Sequence, residues 1–190
     1  MDLSSIITLP NKSLRQKSKR VGSITDVVER LIEGMKAATL DWEASREHEV
    51  GVALAAIQVN RLVKIIVIRN DFDNREDKTF AVFINPEITK YDGKLEQDFE
   101  GCLSVPDIYG KVSRYNKIRI KAQDEQGHYF QRTAEGFLAR VFQHEIDHIN
   151  GKLFIDHIKG DVDAFFRLQE DGHLEKVDYE KDIRNSRILW

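Results

Sequence analysis

The chain is poor in cysteine, in net charge and in long apolar runs, and each shortage excludes something. One thiol, Cys102, cannot close an internal disulfide, so it is left as a buried thiol, a reactive thiol or a metal ligand. With 29 basic and 32 acidic side chains the formal charge is -3, which supplies no global field for nucleic acid or an anionic membrane. No apolar run reaches the roughly 18 to 20 residues of a membrane-crossing helix, and Met1 to Ser5 lacks the basic start of a secretory signal. The expectation is a soluble, cytoplasmic protein with no membrane partner and no specific nucleic-acid binding. Internal repeats and low-complexity tracts are missing as well, so the 190 residues are read as one domain around one substantial core.

What is present is the stretch His144-Glu145-Ile146-Asp147-His148. On a helix, side chains four residues apart lie on one face, so both imidazoles can reach a single cation while Glu145 stands beside it. That is the pattern of a catalytic metal helix. Hydrolysis at such a centre also needs a third protein ligand, an open position for water and a base. Phe137, Val141, His144 and His148 fall at steps of four, three and four, so an apolar wall leads to the histidines on a helix expected over 133–150. Asn150-Gly151 supplies its stop.

Earlier in the chain, Val27, Val28, Leu31, Ile32, Met35, Ala38 and Trp42 recur at three- and four-residue steps, which predicts an amphipathic helix over about 25–45. The basic segment before it, with Lys12, Arg15, Lys17, Lys19 and Arg20, reads as solvated surface, because no aromatic residue interleaves with the charges. Gly51 to Gln58 is small and apolar with an uncharged amide at its end, a composition that suits packing or close approach to a ligand. Leu62 to Ile68 predicts a buried strand, and Phe80 to Asn85 a second one stopped by Pro86. Gly101 and Pro106 bracket the thiol in a turn-prone segment, and Gln126-Gly127 joins two strands, Lys117 to Ala122 and Tyr129 to Arg132, as a hairpin. Val162 to Leu168 is expected as a brief helix. Residues 161–190, with eight acidic side chains against five basic ones, are expected as a partly exposed C-terminal extension.

Three segments, Gly51 to Gln58, Glu100 to Ser104 and Gln143 to His148, resemble in order and spacing the signatures of the peptide deformylases, written GxGLAAxQ, EGCLS and QHExDH. The second and third match throughout. The first departs at Ala53, where the family usually has its second glycine; the added methyl narrows the groove or slows the reaction without removing a catalytic group. The resemblance covers roughly 6–160 and implies an α+β fold, with mixed or antiparallel sheets packed around a central metal-binding helix. On it the catalytic domain spans 1–160 and the extension 161–190.

The activity that the resemblance implies is removal of the N-formyl group from the initiator methionine of nascent polypeptides, with release of formate. Cys102, His144 and His148 would hold a divalent metal with water in the fourth position. Glu145 would take the proton from that water and deliver it to the departing amine, while the metal, the Gln58 amide and the backbone N–H of Leu103 hold the oxyanion. The family's usual cation is Fe(II), which zinc, nickel or cobalt can replace, and the ligand types by themselves suit zinc equally well. Gly51, Val52, Ala53, Phe137, Arg140 and Val141 would be the substrate-binding residues. Among them Val52, Phe137 and Val141 suit an apolar slot for an unbranched side chain, with ordinary core packing the alternative for Phe137. Arg140 would lie over the pocket rim or face solvent. The implied partners are formyl-Met N-termini and, transiently, the ribosome, which the acidic extension is poorly suited to grip.

Two other readings use the same helix. A zinc endopeptidase would take a further ligand downstream, and His157 stands nine residues after His148, longer than the common extended motif; Glu100-Gly101-Cys102 separates the two readings. A non-catalytic, metal-stabilised binding module would need neither Glu145 nor Gln58.

Overall fold

In the computed structural model, which describes residues 6–186, 188 and 189, seven strands form one sheet against two α-helices. The first helix, α1, is Asp26–Ala44, and three strands follow: β1 (Ala53–Ala55), β2 (Ile65–Arg69) and β3 (Phe80–Cys102). Next come β4 (Val105–Gln123), β5 (Tyr129–Glu135), the metal-site helix α2 (Gly136–Ile149), β6 (Phe165–Leu168) and β7 (Leu174–Lys176). The order across the sheet is β1-β2-β3-β4-β6-β7, with β5 also on β4, and every strand pair is antiparallel. The only parallel contact among the described residues is a single bridge, Lys19 with Val63. No helix among those residues is long and apolar enough to cross a membrane.

Strand β2 explains why the fold needs both helices. Its five residues are all buried, as expected of a strand covered on both faces. Ile65 and Val67 pack with Leu31, Ile32 and Met35 of α1, whereas Ile66 and Ile68 pack with Phe142, Ile146 and Ile149 of α2. Each such side chain contributes about 1.5 to 3 kcal/mol by leaving water. Phe83 sets its ring edge-on to Phe142 at 4.7 Å, which fixes the level of α2 along the sheet. The N-terminal segment then ties the layers together: Ile7 donates to the Gln58 carbonyl, Leu9 to that of Ser104 and Ser18 to that of Ile149.

Four local expectations need correction. Pro86 does not stop its strand, because β3 continues to Cys102. The ladder instead shifts between Ile84 and Glu87, where Asn85 adopts φ +54, and this bulge accommodates a residue with no N–H to donate. The metal-site helix starts later than the apolar pattern suggests, since Thr133 to Glu135 are still paired to β4; Gly136, at φ +57, turns the chain from strand into helix. Val162 to Leu168 forms no helix. Its second half is β6, which fills the edge of β4 at Ile108 to Gly110, so available pairing overrides local preference. Val27, counted on the apolar face of α1, is 63% exposed; the stripe that meets the core starts instead with Val28 and Leu31. From residue 161 onward, Ala164, Phe165 and Ile183 are buried with Val105, Ile108 and Phe154 in a third cluster, so this segment packs on the sheet.

A buried ion pair fixes α1 to the sheet. Glu43 accepts from Arg69 at 2.7 Å and from the backbone N–H of Gly51 at 2.8 Å, and the Arg69 side chain is wholly buried. Glu43→Ala should therefore cost about 3 to 5 kcal/mol in urea unfolding, and Glu43→Leu combined with Arg69→Met much less; a single-variant loss below about 1 kcal/mol would contradict the role of this pair. Burial alone would raise the Glu43 carboxyl, but the hydrogen bonds from Gly51 and Arg69 outweigh it and hold it below its ordinary 4.5. Its contribution is complete above that value and is lost as pH falls through the folded value, so Glu43→Gln should flatten the acid limb of the stability profile.

Candidate metal centre

Cys102 ends β3, and the Leu103-Ser104 turn pairs it across the ladder with Val105. Helix α2 presents His144 and His148 to the thiol. One ligand atom from each of the three residues lies within 4.8 Å of the other two, and all three side chains are buried. Cys102 Sγ is 3.2 Å from His148 Nε2. His144 Nδ1 lies 3.0 Å from Glu100 Oε2; a carboxylate only accepts, so Nδ1 is assigned the proton and Nε2 is left for a metal. Burial pushes His148 well below the ordinary imidazole range, toward the neutral form that ligates; burial alone would lower His144 too, but its hydrogen bonds with Cys102 and Glu100 raise it well above that range.

Glu100 is held from three sides. Arg114 meets it side-on, Nε at 2.8 Å and Nη2 at 3.0 Å, and Arg140 Nη1 donates at 2.8 Å. Burial alone would raise the Glu100 carboxyl, yet its hydrogen bonds with His144 and Arg114 keep it well below the usual carboxylate range. Arg140 thus neither covers the rim nor faces solvent: it is buried, and it also donates to the carbonyls of Val112 and Glu96. Such a side chain forms part of the inner wall.

Glu145 stands apart from this network. It is buried, and its Oε2 has no hydrogen-bond partner. Burial pushes its carboxyl up to about 7, the nearby His144 lowering it and Glu100 raising it further. A carboxyl so placed can take up and release a proton near neutrality. Gln58, on the 3-10 turn Ala56–Val59, is oriented by the Ala55 N–H, which donates to its Oε1 at 2.9 Å. Its Nε2 is thereby turned toward Ser104 Oγ, at 3.1 Å, and Cys102 Sγ, at 3.8 Å.

Gln58, Glu100, Cys102, His144 and Glu145 line a cleft of about 210 Å³. Val52, Ala53, Val141 and Phe137 line it too, together with Leu103 and Arg140. Phe137 is 46% exposed and meets Phe72 edge-on at 5.1 Å, so it is an edge of the cleft and not core. Gly51 is absent from the wall. A methyl there would meet Thr39 at 2.7 Å, so Gly51 lets the strand approach α1 closely. Trp42, Val50 and Tyr109 complete the mouth, and sequence reasoning missed them. Trp42 at the end of an apolar helical stripe carried a weak signal, whereas Tyr109 and Arg114 arrive only through the β3–β4 ladder. His157 lies against Asp147, with Nε2 at 2.6 Å from Oδ2, and is not a member of the ligand cluster.

A thiolate with two imidazoles fits a borderline-soft divalent cation. The unpartnered Glu145 oxygen beside them is a group that a purely structural site would not require.

Comparison with known proteins agrees with this geometry. The sequence profile of the polypeptide deformylases matches residues 3–163. A peptide deformylase of Cellvibrio japonicus is 43% identical over 177 residues, covering 93% of this chain and 96% of that protein. One from Pseudomonas aeruginosa is 42% identical over 83% of this chain and 88% of its own length. Among solved structures, a peptide deformylase from Synechococcus elongatus in complex with actinonin superposes with a TM-score of 0.76 at 35% identity, over 85% of this chain and 83% of that one. The enzyme from Thermotoga maritima gives 0.71 at 35% identity, over 81% of this chain and 96% of that one. The chain therefore belongs to the peptide deformylase family, metal-dependent hydrolases that remove N-formyl groups from nascent peptides.

Proposed function

We propose that this chain hydrolyses the formyl amide on the initiator methionine of nascent polypeptides and releases formate, with a divalent cation held by Cys102, His144 and His148. The observation that carries this reading is the unpartnered, buried Glu145 carboxyl, next to that ligand set, on the wall of an apolar cleft. When bound, the cation supplies Lewis acidity, and Fe(II) is the family's usual choice, with zinc, nickel or cobalt meeting the same donors.

The protein groups divide the remaining work. Glu145 accepts the proton of the attacking water and passes it to the leaving amine, a task that suits a carboxyl raised to about 7. Gln58 Nε2 and the backbone N–H of Leu103 stabilise the charge that develops on the formyl oxygen, and the Ala55 N–H keeps the amide of Gln58 from flipping. Val52, Val141 and Phe137 offer the methionine side chain an apolar slot that Ala53 makes narrower than glycine would. Gly51 acts on the cleft indirectly, through close packing on α1, whereas Arg140 lines it and also braces Glu100. A nascent-chain substrate places the reaction in the cytoplasm, with transient ribosome contact.

Glu145→Gln should lower kcat for formyl-Met peptides by about 10² to 10⁴ while metal content and KM stay near wild type; near wild-type turnover would remove Glu145 from the proton path. Cys102→Ala should lower the metal bound per chain after anaerobic purification, and unchanged stoichiometry would take Cys102 out of the ligand set. The iron-loaded protein should lose activity in air as metal or thiol oxidises, and undiminished activity after prolonged aeration would count against iron.

A further inference from the structure

Behind α2, away from the cleft, lies a larger hollow of about 510 Å³. Helix α2 gives it Gln143, Ile146 and Asp147, and its C-cap gives Asn150, whereas Val141, His144 and Glu145 of the same helix line the cleft in front. The N-terminal segment contributes Lys17, the chain after α2 contributes Lys152, and the β3–β4 hairpin contributes Tyr91 and Tyr115.

The charges here are unbalanced. Asp147 is the only carboxylate on the wall, and Arg114 and His157 already match it, each at 2.6 Å. Asp92 and Glu96 on the hairpin are matched by Lys90 and Lys94. Arg15 and Arg20 are paired with Asp156 and Glu87, but Lys17 and Lys152 form no ion pair among the described residues. Two ammonium groups are thus left over in a chain whose net charge is -3. Beside them the Tyr91 and Tyr115 rings lie 5.3 Å apart and tilted by 49°, and the two residues are 53% and 37% exposed. The basic segment has no aromatic residue of its own; the sheet brings these two to it.

Unmatched cations beside exposed aromatic side chains suit a planar base that carries a phosphate. We propose that this hollow binds a nucleotide unit, its base against Tyr91 and Tyr115 and its phosphate at Lys17 and Lys152, supplied as a free mononucleotide or within single-stranded RNA.

The test is an NMR titration of the metal-loaded protein at low salt with adenosine 5′-monophosphate, with a short oligoadenylate and with inorganic phosphate. Both adenine probes should shift the amides around Lys17, Tyr91, Tyr115 and Lys152 saturably. Tighter, strongly salt-dependent binding of the oligoadenylate marks RNA as the source, and equal affinity marks the free nucleotide. Lys17→Glu with Lys152→Glu should weaken binding at least about tenfold, and Tyr91→Ala about fivefold or more, with Tyr91→Phe close to wild type and formate release unchanged in all three. Four results would overturn the site: no saturable shift up to about 10 mM, shifts confined to the metal ligands, indifference to charge reversal, or inorganic phosphate binding as tightly as the nucleotide.

Discussion

Glu100 is buried between two guanidinium groups and an imidazole, and three elements of the fold meet at its carboxylate. Itself on β3, it draws in Arg114 from β4 and Arg140 with His144 from α2. A lone carboxylate in that position would be costly to desolvate; with several charge-assisted hydrogen bonds it becomes the fixed point to which His144 is referred. Arg114 extends the arrangement through Nη1 to Asp147, the residue before His148, so one guanidinium steadies the neighbourhood of both histidines of the cluster. The rigidity that a metal site needs thus comes from ionic contacts behind it, with apolar packing holding α2 on the sheet.

Against that background the two acids near the histidines behave oppositely. Glu100 is saturated with donors and stays ionised, whereas Glu145, one residue beyond His144, finds none and is raised toward neutrality. The division follows from the donors each meets: Arg114, Arg140 and His144 converge on Glu100, whereas Glu145 Oε2 has no partner. Opposite environments thus hold one carboxyl ionised and leave the other able to exchange a proton near neutrality, the property on which the proposed role of Glu145 rests.

Much of this was legible in the chain. Spacing gave α2 and its histidines, though with a start three residues too early, and the three-four pattern gave α1 to within a residue or so of Asp26 and Ala44. The hairpin at Gln126-Gly127 was equally plain, since turn residues and alternation agree there. What could not be read depends on contacts between distant residues. Pro86 has no local property that announces a bulge; Asn85 makes one by bonding to Val21 and Gln123. Strand β6 exists because the edge of β4 was open to it. Arg114 carries no motif, and Arg140 looked like a surface residue until Glu100 claimed it. The residues that cluster at the cleft were visible in the sequence, and the groups that hold them in place were not.

Metal affinity of a Glu100→Gln variant tests the central claim most directly, because the amide keeps the shape of the carboxylate while removing its charge. Competition with a chromophoric chelator should show affinity weakened by about 10 to 100-fold, with formate release from formyl-Met peptides falling in parallel and recovering in excess metal. Wild-type metal affinity in a folded Glu100→Gln protein would contradict the account.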